Sequence, residues 1–302
     1  MKKIIFTALF LILSGYASLA QHEISVHIGG GLSALNYKTS VGVPNNSLGI
    51  NLGMNLRYFI SNKWSAVSGI EFGMYNSAFN IKTLNTHSTV KDGFHNNEEF
   101  DFRNAFTSYR EQQGTTILQI PVMAHFYPRK YYYRNFIAGG IKLGIPLGGY
   151  YNSVSNIVNK GYYSKEDYEY EVQEFMGFGS FSGKASSGNL KFTEFVLILS
   201  LEGGRKFDLY RKNISVYIGV YIDYGLNNIY KKSEKPKPFV EYNYDNPRNF
   251  SVNSIILSQY SLRDSQLPQS ELLQPHPQSF TNKINPMAVG IKISVSQRNR
   301  FW

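Results

Sequence analysis

LGINLGMNLRYFI, residues 48–60, decides the fold. Leu48, Ile50, Leu52, Met54, Leu56, Tyr58 and Ile60 occupy one phase of a two-residue period, and Gly49, Asn51, Gly53, Asn55 and Arg57 the other. Successive side chains of a strand point to opposite sides, so the segment predicts a strand with one unbroken apolar face and one small or polar face. The pattern recurs in NISVYIGVYIDYGL, residues 213–226, where Ile214, Val216, Ile218, Val220, Ile222 and Tyr224 oppose Ser215, Tyr217, Gly219, Tyr221 and Asp223. It recurs over residues 287–295 with Lys292 and Ser294 opposite, over 118–126 with Gln119, Pro121 and His125 opposite, and over 137–147 with Lys142 opposite. Weaker members are Ile24, Val26 and Ile28 against His27, Ile70, Phe72 and Met74 against Glu71, and Phe195, Leu197, Leu199 and Leu201 against Glu194 and Glu202.

The eight segments are joined by stretches that alternate in length: 36–47, 61–63, 80–115, 128–134, 151–190, 208–213 and 231–283. In an up-and-down sheet that alternation puts every long connection at one end and every short one at the other. The expected fold is therefore all-β, an eight-stranded antiparallel up-and-down transmembrane β-barrel with four long extracellular loops and short periplasmic turns. A soluble barrel also alternates, but its polar face meets water. Here that face is mostly Gly, Ser, Asn and Tyr, and its charges come in both signs: Arg57, Lys142 and Lys292 with Glu71, Glu194, Glu202 and Asp223. A packed lumen can pair such charges, and burying one unpaired would be costly. A barrel of this size leaves no aqueous channel, which disfavours a general porin.

The 302 residues contain no Cys, so disulfides, zinc ribbons and thiol catalysis are excluded. Residues 1–20, MKKIIFTALFLILSGYASLA, have the two lysines, short apolar run and small terminal residues of a secretory signal peptide. Cleavage is expected before Gln21, leaving 21–302 as one outer-membrane β-barrel domain exported to the outer membrane. Loss of Lys2 and Lys3 lowers the formal charge from +10 to +8, and the basic residues gather at the short-turn end, among them Lys63, Arg205, Lys206 and Arg298. That address suits a solvated rim or anionic lipid headgroups, and nucleic acid is not an expected partner. Aromatic residues make up 15% of the chain and are expected as two interfacial belts, Tyr58, Trp64, Phe126, Tyr127 and Phe136 at the short-turn end, Tyr37, Tyr75, Phe79, Tyr150, Tyr151 and Tyr224 at the other.

TTILQIPVMAHFYP, residues 115–128, followed by NFIAGGIKLGIPLGGYY, residues 135–151, resembles the PorT-like outer-membrane β-barrel family. The residues that carry the resemblance are Leu118, Ile120, Pro121, Phe126, Tyr127, Ile137, Ala138, Gly139 and Gly140. The resemblance implies a barrel over the whole mature chain and, for some members, a part in protein secretion. The chain ends in Phe301 and Trp302, similar to the terminal aromatic read by barrel-assembly machinery.

No G-x-S-x-G or H-E-x-x-H motif occurs, and no His has a recurrently spaced acidic partner, so no catalytic residue, metal ligand or cofactor site is expected. Glu166, Asp167, Glu169, Glu171 and Glu174 alternate with tyrosines in the third long connection, without the spacing of a calcium loop; a solvated strand face is expected, with cation binding left open. The last connection is rich in Pro, Gln and Ser and reads as mobile. The expected function is that of a non-enzymatic outer-membrane barrel with a packed lumen, acting through its loops or periplasmic rim in envelope structure or partner docking. The alternatives are a component of a PorT-type secretion apparatus and an outer-membrane lipid-modifying enzyme. Expected partners are outer-membrane lipids and lipopolysaccharide, the barrel-assembly machinery, and an envelope or secretion protein.

Overall fold

The computed structural model describes residues 22–39, 41–92, 98–128, 133–209, 213–231, 237–262 and 278–299. The expected signal segment and the terminal Phe301 and Trp302 lie outside the described residues. The main strands are β1 (His22–Asn36), β2 (Val43–Phe59), β3 (Trp64–Ile81), β4 (Glu99–Phe126), β5 (Tyr133–Tyr163), β6 (Val196–Leu209), β7 (Ile214–Gly225) and β8 (Asn285–Asn299). Each pairs antiparallel with the next from β1 to β7, β7 pairs with β8, and β8 pairs with β1 from His22↔Asn299 to Asn36↔Asn285.

The burial is inside out relative to a soluble domain. Leu48, Ile50, Leu52, Met54 and Leu56 of β2 are exposed, as are Ile24, Val26 and Ile28 of β1, Ile70, Phe72 and Met74 of β3, and Ile218, Val220 and Ile222 of β7. The opposite phase is buried: Ser25 and His27, Asn51 and Arg57, Glu71, Gln119 and His125, Lys142, Asp223 and Ser294. Apolar residues turned outward over strand stretches of about 9–11 residues are what a lipid environment stabilises, because the wall satisfies its own backbone groups.

Pro121 sits inside β4 and has no N–H to give the ladder. It is accommodated where the β3–β4 pairing is interrupted between Ser68↔Val122 and Glu71↔Gln119. Gly140 lies where the walls approach closely: a Cβ there would come within 2.1 Å of the Val122 carbonyl oxygen.

The strands do not stop at the barrel rim, which corrects the expected loop boundaries. β4 has 28 residues and β5 has 31, far more than a tilted membrane strand needs. Stretches expected as loops, 80–115 and 151–190, are largely strand: Leu84–Lys91 pairs with β4, and Tyr168–Tyr170 and Gly179–Leu190 pair with β5. On the other side β7, β8, β1 and β2 rise no such distance. The result is a crown over part of the rim, and the last connection fills its concave side. Phe239, Val240, Tyr242, Phe250, Val252, Ile255 and Ile256 are all buried there against Phe100, Phe102, Phe106, Tyr109 and Phe178. The expectation of a mobile last loop is thus overturned for residues 239–256, because their aromatic and aliphatic side chains complete a core.

Ile218 is 44% exposed in mid-β7. Ile218→Arg should destabilise the bilayer-inserted protein by about 2–4 kcal/mol, whereas Ser180→Arg on the crown should stay within about 0.5 kcal/mol, measured by urea unfolding in liposomes.

Candidate functional site

Two polar layers fill the barrel. In the middle layer, Lys142 of β5 reaches across the lumen to Glu71 of β3 (Nζ–Oε1 2.7 Å) and Asp223 of β7 (Nζ–Oδ2 2.8 Å). Asp223 also accepts from Ser200 Oγ at 2.6 Å. Lys292 of β8 bonds Glu202 and lies 3.5 Å from Glu71 Oε2, with His27 Nε2 3.2 Å from the same oxygen. Gln119 donates to the Tyr75 hydroxyl at 2.8 Å. The layer nearer the short turns centres on Glu23 of β1. That carboxylate accepts from Lys206 Nζ at 2.8 Å, Tyr217 OH at 2.6 Å and Arg298 Nη2 at 3.0 Å. Arg57 donates to Tyr127 OH at 2.7 Å and stacks over the Tyr217 ring, 4.4 Å from its centroid.

Five cations, Arg57, Lys142, Lys206, Lys292 and Arg298, therefore face five carboxylates, Glu23, Glu71, Glu202, Asp208 and Asp223. Pairing offsets the large desolvation cost that each charge alone would carry. Between the layers lies a cavity of about 30 Å³, lined by His27, Arg57, Glu71, His125, Glu202 and Lys292 among others. That volume suits one water molecule.

Outside the barrel, the crown holds a different buried carboxylate. Glu111 of β4 is 1% exposed and accepts from Tyr109 OH at 2.5 Å, Gln113 Nε2 at 3.0 Å, the Ile255 backbone N–H at 3.1 Å and Ser254 Oγ. Two of these donors belong to the last connection, so Glu111 pins residues 254–255 to the crown wall. Burial pushes its carboxyl above the ordinary range, outweighing the four donors.

The sequence profile of the outer membrane protein beta-barrel domain matches residues 17–231. The chain belongs to that family. No curated protein matches the sequence. Among solved structures, Ail, the attachment invasion locus protein of Yersinia pestis in complex with the heparin analogue sucrose octasulfate, shares 11% identity over 92% of this chain and 99% of that one, with a TM-score of 0.30. The translocator domain of the autotransporter NalP from Neisseria meningitidis shares 9% identity over 99% of this chain and 96% of that one, with a TM-score of 0.21. At those scores neither likeness carries weight.

Within this outer-membrane barrel, Arg57, Glu71, Lys142, Glu202, Asp223 and Lys292 come together as the lumen layers. Glu194 does not: it is exposed, in the break between Leu190 and Val196 where the strand period is interrupted. Lys206, expected on a solvated rim, has no exposed side-chain surface and pairs with Glu23. Glu23 is not among the expected lumen charges, although it shares the phase of Ser25 and His27 and one more step of the period reaches it. Tyr127 and Phe136 are buried in the lumen end rather than in an aromatic belt, as are Tyr75 and Phe79 at the other end; Tyr58, Trp64, Tyr150 and Tyr224 face outward. Ile120 lies on the outer face, Leu118 is half-buried and Pro121 lines the cavity, so the PorT-like motif residues belong to the wall. Of the acidic residues of the third connection, three are engaged by cations, Glu169 by Arg103 and Lys160, Glu171 by Lys160 and Glu174 by Arg248, while Asp167 accepts from Tyr162 and Glu166 from Tyr170. Among the described residues no group of three His, Cys, Asp or Glu is placed to hold a metal ion.

Two outcomes are expected. Lys142→Met leaves Asp223 without a cation and Glu71 with only Lys292 and His27 beside it, and should cost about 3–5 kcal/mol, with part recovered in Lys142→Met/Asp223→Asn, read from urea midpoints. For Glu111, the folded state holds the proton more tightly than the unfolded chain, so its contribution to crown stability is full at acidic pH and is lost as pH rises from the ordinary carboxylate range through the raised folded value. Amide exchange at Ile255 should be slower at pH 4 than at pH 7 after correction for intrinsic rates, and Glu111→Gln should flatten that difference.

Proposed function

We propose that the chain is an eight-stranded, non-enzymatic outer-membrane barrel with a closed lumen that acts through its crown, docking a partner or contributing to envelope structure at the cell surface. The observation that carries this reading is the division of labour between the two halves. The barrel spends its inward positions on ion pairs that leave room for about one water, while the crown has a hydrophobic core of its own. A rigid, folded projection beside a sealed barrel presents a surface without offering a passage. The outward direction of the crown follows the general preference of bacterial barrels for short periplasmic turns. The signal peptide, and recognition of Phe301 and Trp302 by the assembly machinery, belong to the same reading.

The PorT-type secretion role rests on Leu118, Ile120, Pro121, Gly139 and Gly140, and their positions are accounted for by wall packing. A lipid-modifying enzyme would need a nucleophile and base at one depth of the outer face, and the described outer face there is aliphatic.

The test uses the absence of Cys from the chain. Lys165→Cys in the crown should react with a membrane-impermeant maleimide on intact cells, and Ser61→Cys in a short turn only after permeabilisation; the reverse result would move the crown to the periplasm. Purified protein in planar bilayers should give no steady conductance, and a stable open channel would refute the sealed-lumen reading.

A further inference from the structure

The crown contains an open pocket of about 220 Å³, lined by Tyr163, Tyr170, Phe175 and Phe178, by Met176 and Gln173, and by the carboxylates Asp92, Glu98 and Glu166. No Lys or Arg is in that lining, although Lys165 Nζ lies 3.0 Å from Glu98 Oε1 at its edge. Its construction follows from the strand ends around it. The Asp92 N–H donates to the Glu98 carbonyl at 2.7 Å, closing the hairpin ahead of β4 and bringing both acids to one edge. Tyr163 at the end of β5 donates its hydroxyl to Asp92 Oδ2 at 2.9 Å, and Tyr170 donates to Glu166 Oε2 at 3.0 Å. These bonds fix the rings: Tyr163 stacks on Phe100 at 5.0 Å, and Tyr170 stands edge-on to Tyr163 at 5.4 Å and 89°. Phe178 and Met176 close the floor as buried side chains, and Phe175 stands at the lip, 64% exposed.

The chemistry of the walls selects the ligand. Aromatic faces carry negative electrostatic potential and attract cations, most strongly where water is partly excluded. The three carboxylates disfavour anions, and Asp92 and Glu166 add to that field, Glu98 being paired with Lys165. They do not converge as a metal site among the described residues, and two of them already accept a phenol hydroxyl. A primary ammonium would need several acceptors to replace its hydration, whereas an alkylated ammonium needs none and presents methyl groups to the rings. The volume is below that of pockets for drug-sized ligands, which fits one head group. We propose that this pocket binds a small substituted ammonium ion, free rather than attached to a phosphate, its charge held against the aromatic walls and facing the carboxylates. The proposal stands independently of whether the crown also docks a protein.

The test is calorimetric titration of the full-length protein in neutral maltoside micelles with three probes: choline, phosphocholine, and 3,3-dimethyl-1-butanol, the uncharged analogue of choline. Choline should bind about tenfold more tightly than the neutral alcohol, the size of a partly desolvated cation–π contribution, and phosphocholine more weakly than choline. Phe175→Ala and Glu166→Gln, both on exposed positions, should each weaken choline binding by about three- to tenfold with the heat-dependent gel mobility of the folded barrel retained, while Lys184→Ala elsewhere on the crown should leave it unchanged. Equal binding of choline and the alcohol, or choline binding untouched by both pocket variants, would overturn the proposal; so would the absence of choline binding to folded protein. Phosphocholine binding better than choline would overturn the assignment to a free cation and point to a lipid head group.

Discussion

A charge with no water beside it must find a countercharge, and the interior of this barrel is organised around that requirement. Lys142 meets Glu71 and Asp223 from two other strands at 2.7 and 2.8 Å. A one-residue slip of any of those strands would turn its ionic group outward into the apolar face. The ion pairs thus fix register as well as charge balance. The same side chains, reaching across to one another, occupy much of the space a channel would need. The exposed aliphatic belt and the buried charges are two consequences of a single alternation.

The crown obeys the opposite rule. Above the rim the concave side of β4 and β5 carries Phe100, Phe102, Phe106 and Tyr109, and the last connection covers it as in a soluble domain. Glu111 departs from that rule. It is held by neutral donors rather than by a cation, two of them from residues 254–255, so the fastening of the last connection depends on a group whose protonation changes its cost. Barrel and crown therefore answer to different conditions: the first to lipid, the second to water and pH.

The membrane portion was legible because lipid tolerates no polar residue on the outer phase, and the period of two is written cleanly in residues 48–60 and 213–226. Most lumen charges followed from the same phase. Glu194 was misread since it keeps the phase of Glu202 across a stretch where the strand is broken, and nothing local marks the break except the polar run before it. Lys206 was hidden by its neighbours, a basic cluster that looks like a rim, although its phase is that of Ser200 and Glu202. The crown strands were taken for loops because their inner face mixes Phe with Asn104 and Glu111 and their outer face is polar, so no single phase is purely apolar. The pocket of Tyr163, Tyr170 and Phe175 brings together residues from two connections, and linear spacing carries no sign of it.

Glu23 has a consequence for the order of events during assembly. Its carboxylate receives Arg298 and Ser296 from the last strand, groups separated from it by 275 and 273 residues. Contacts of such separation form late, since the loop they close is nearly the whole chain. Until β8 arrives, β1 and β7 each present an unpaired edge, and Glu23 has lost part of its countercharge. The seam therefore works as a completeness check: a chain interrupted before residue 285 keeps Lys206 and Arg57 beside Glu23 but can neither close its wall nor supply the bonds from Arg298 and Ser296.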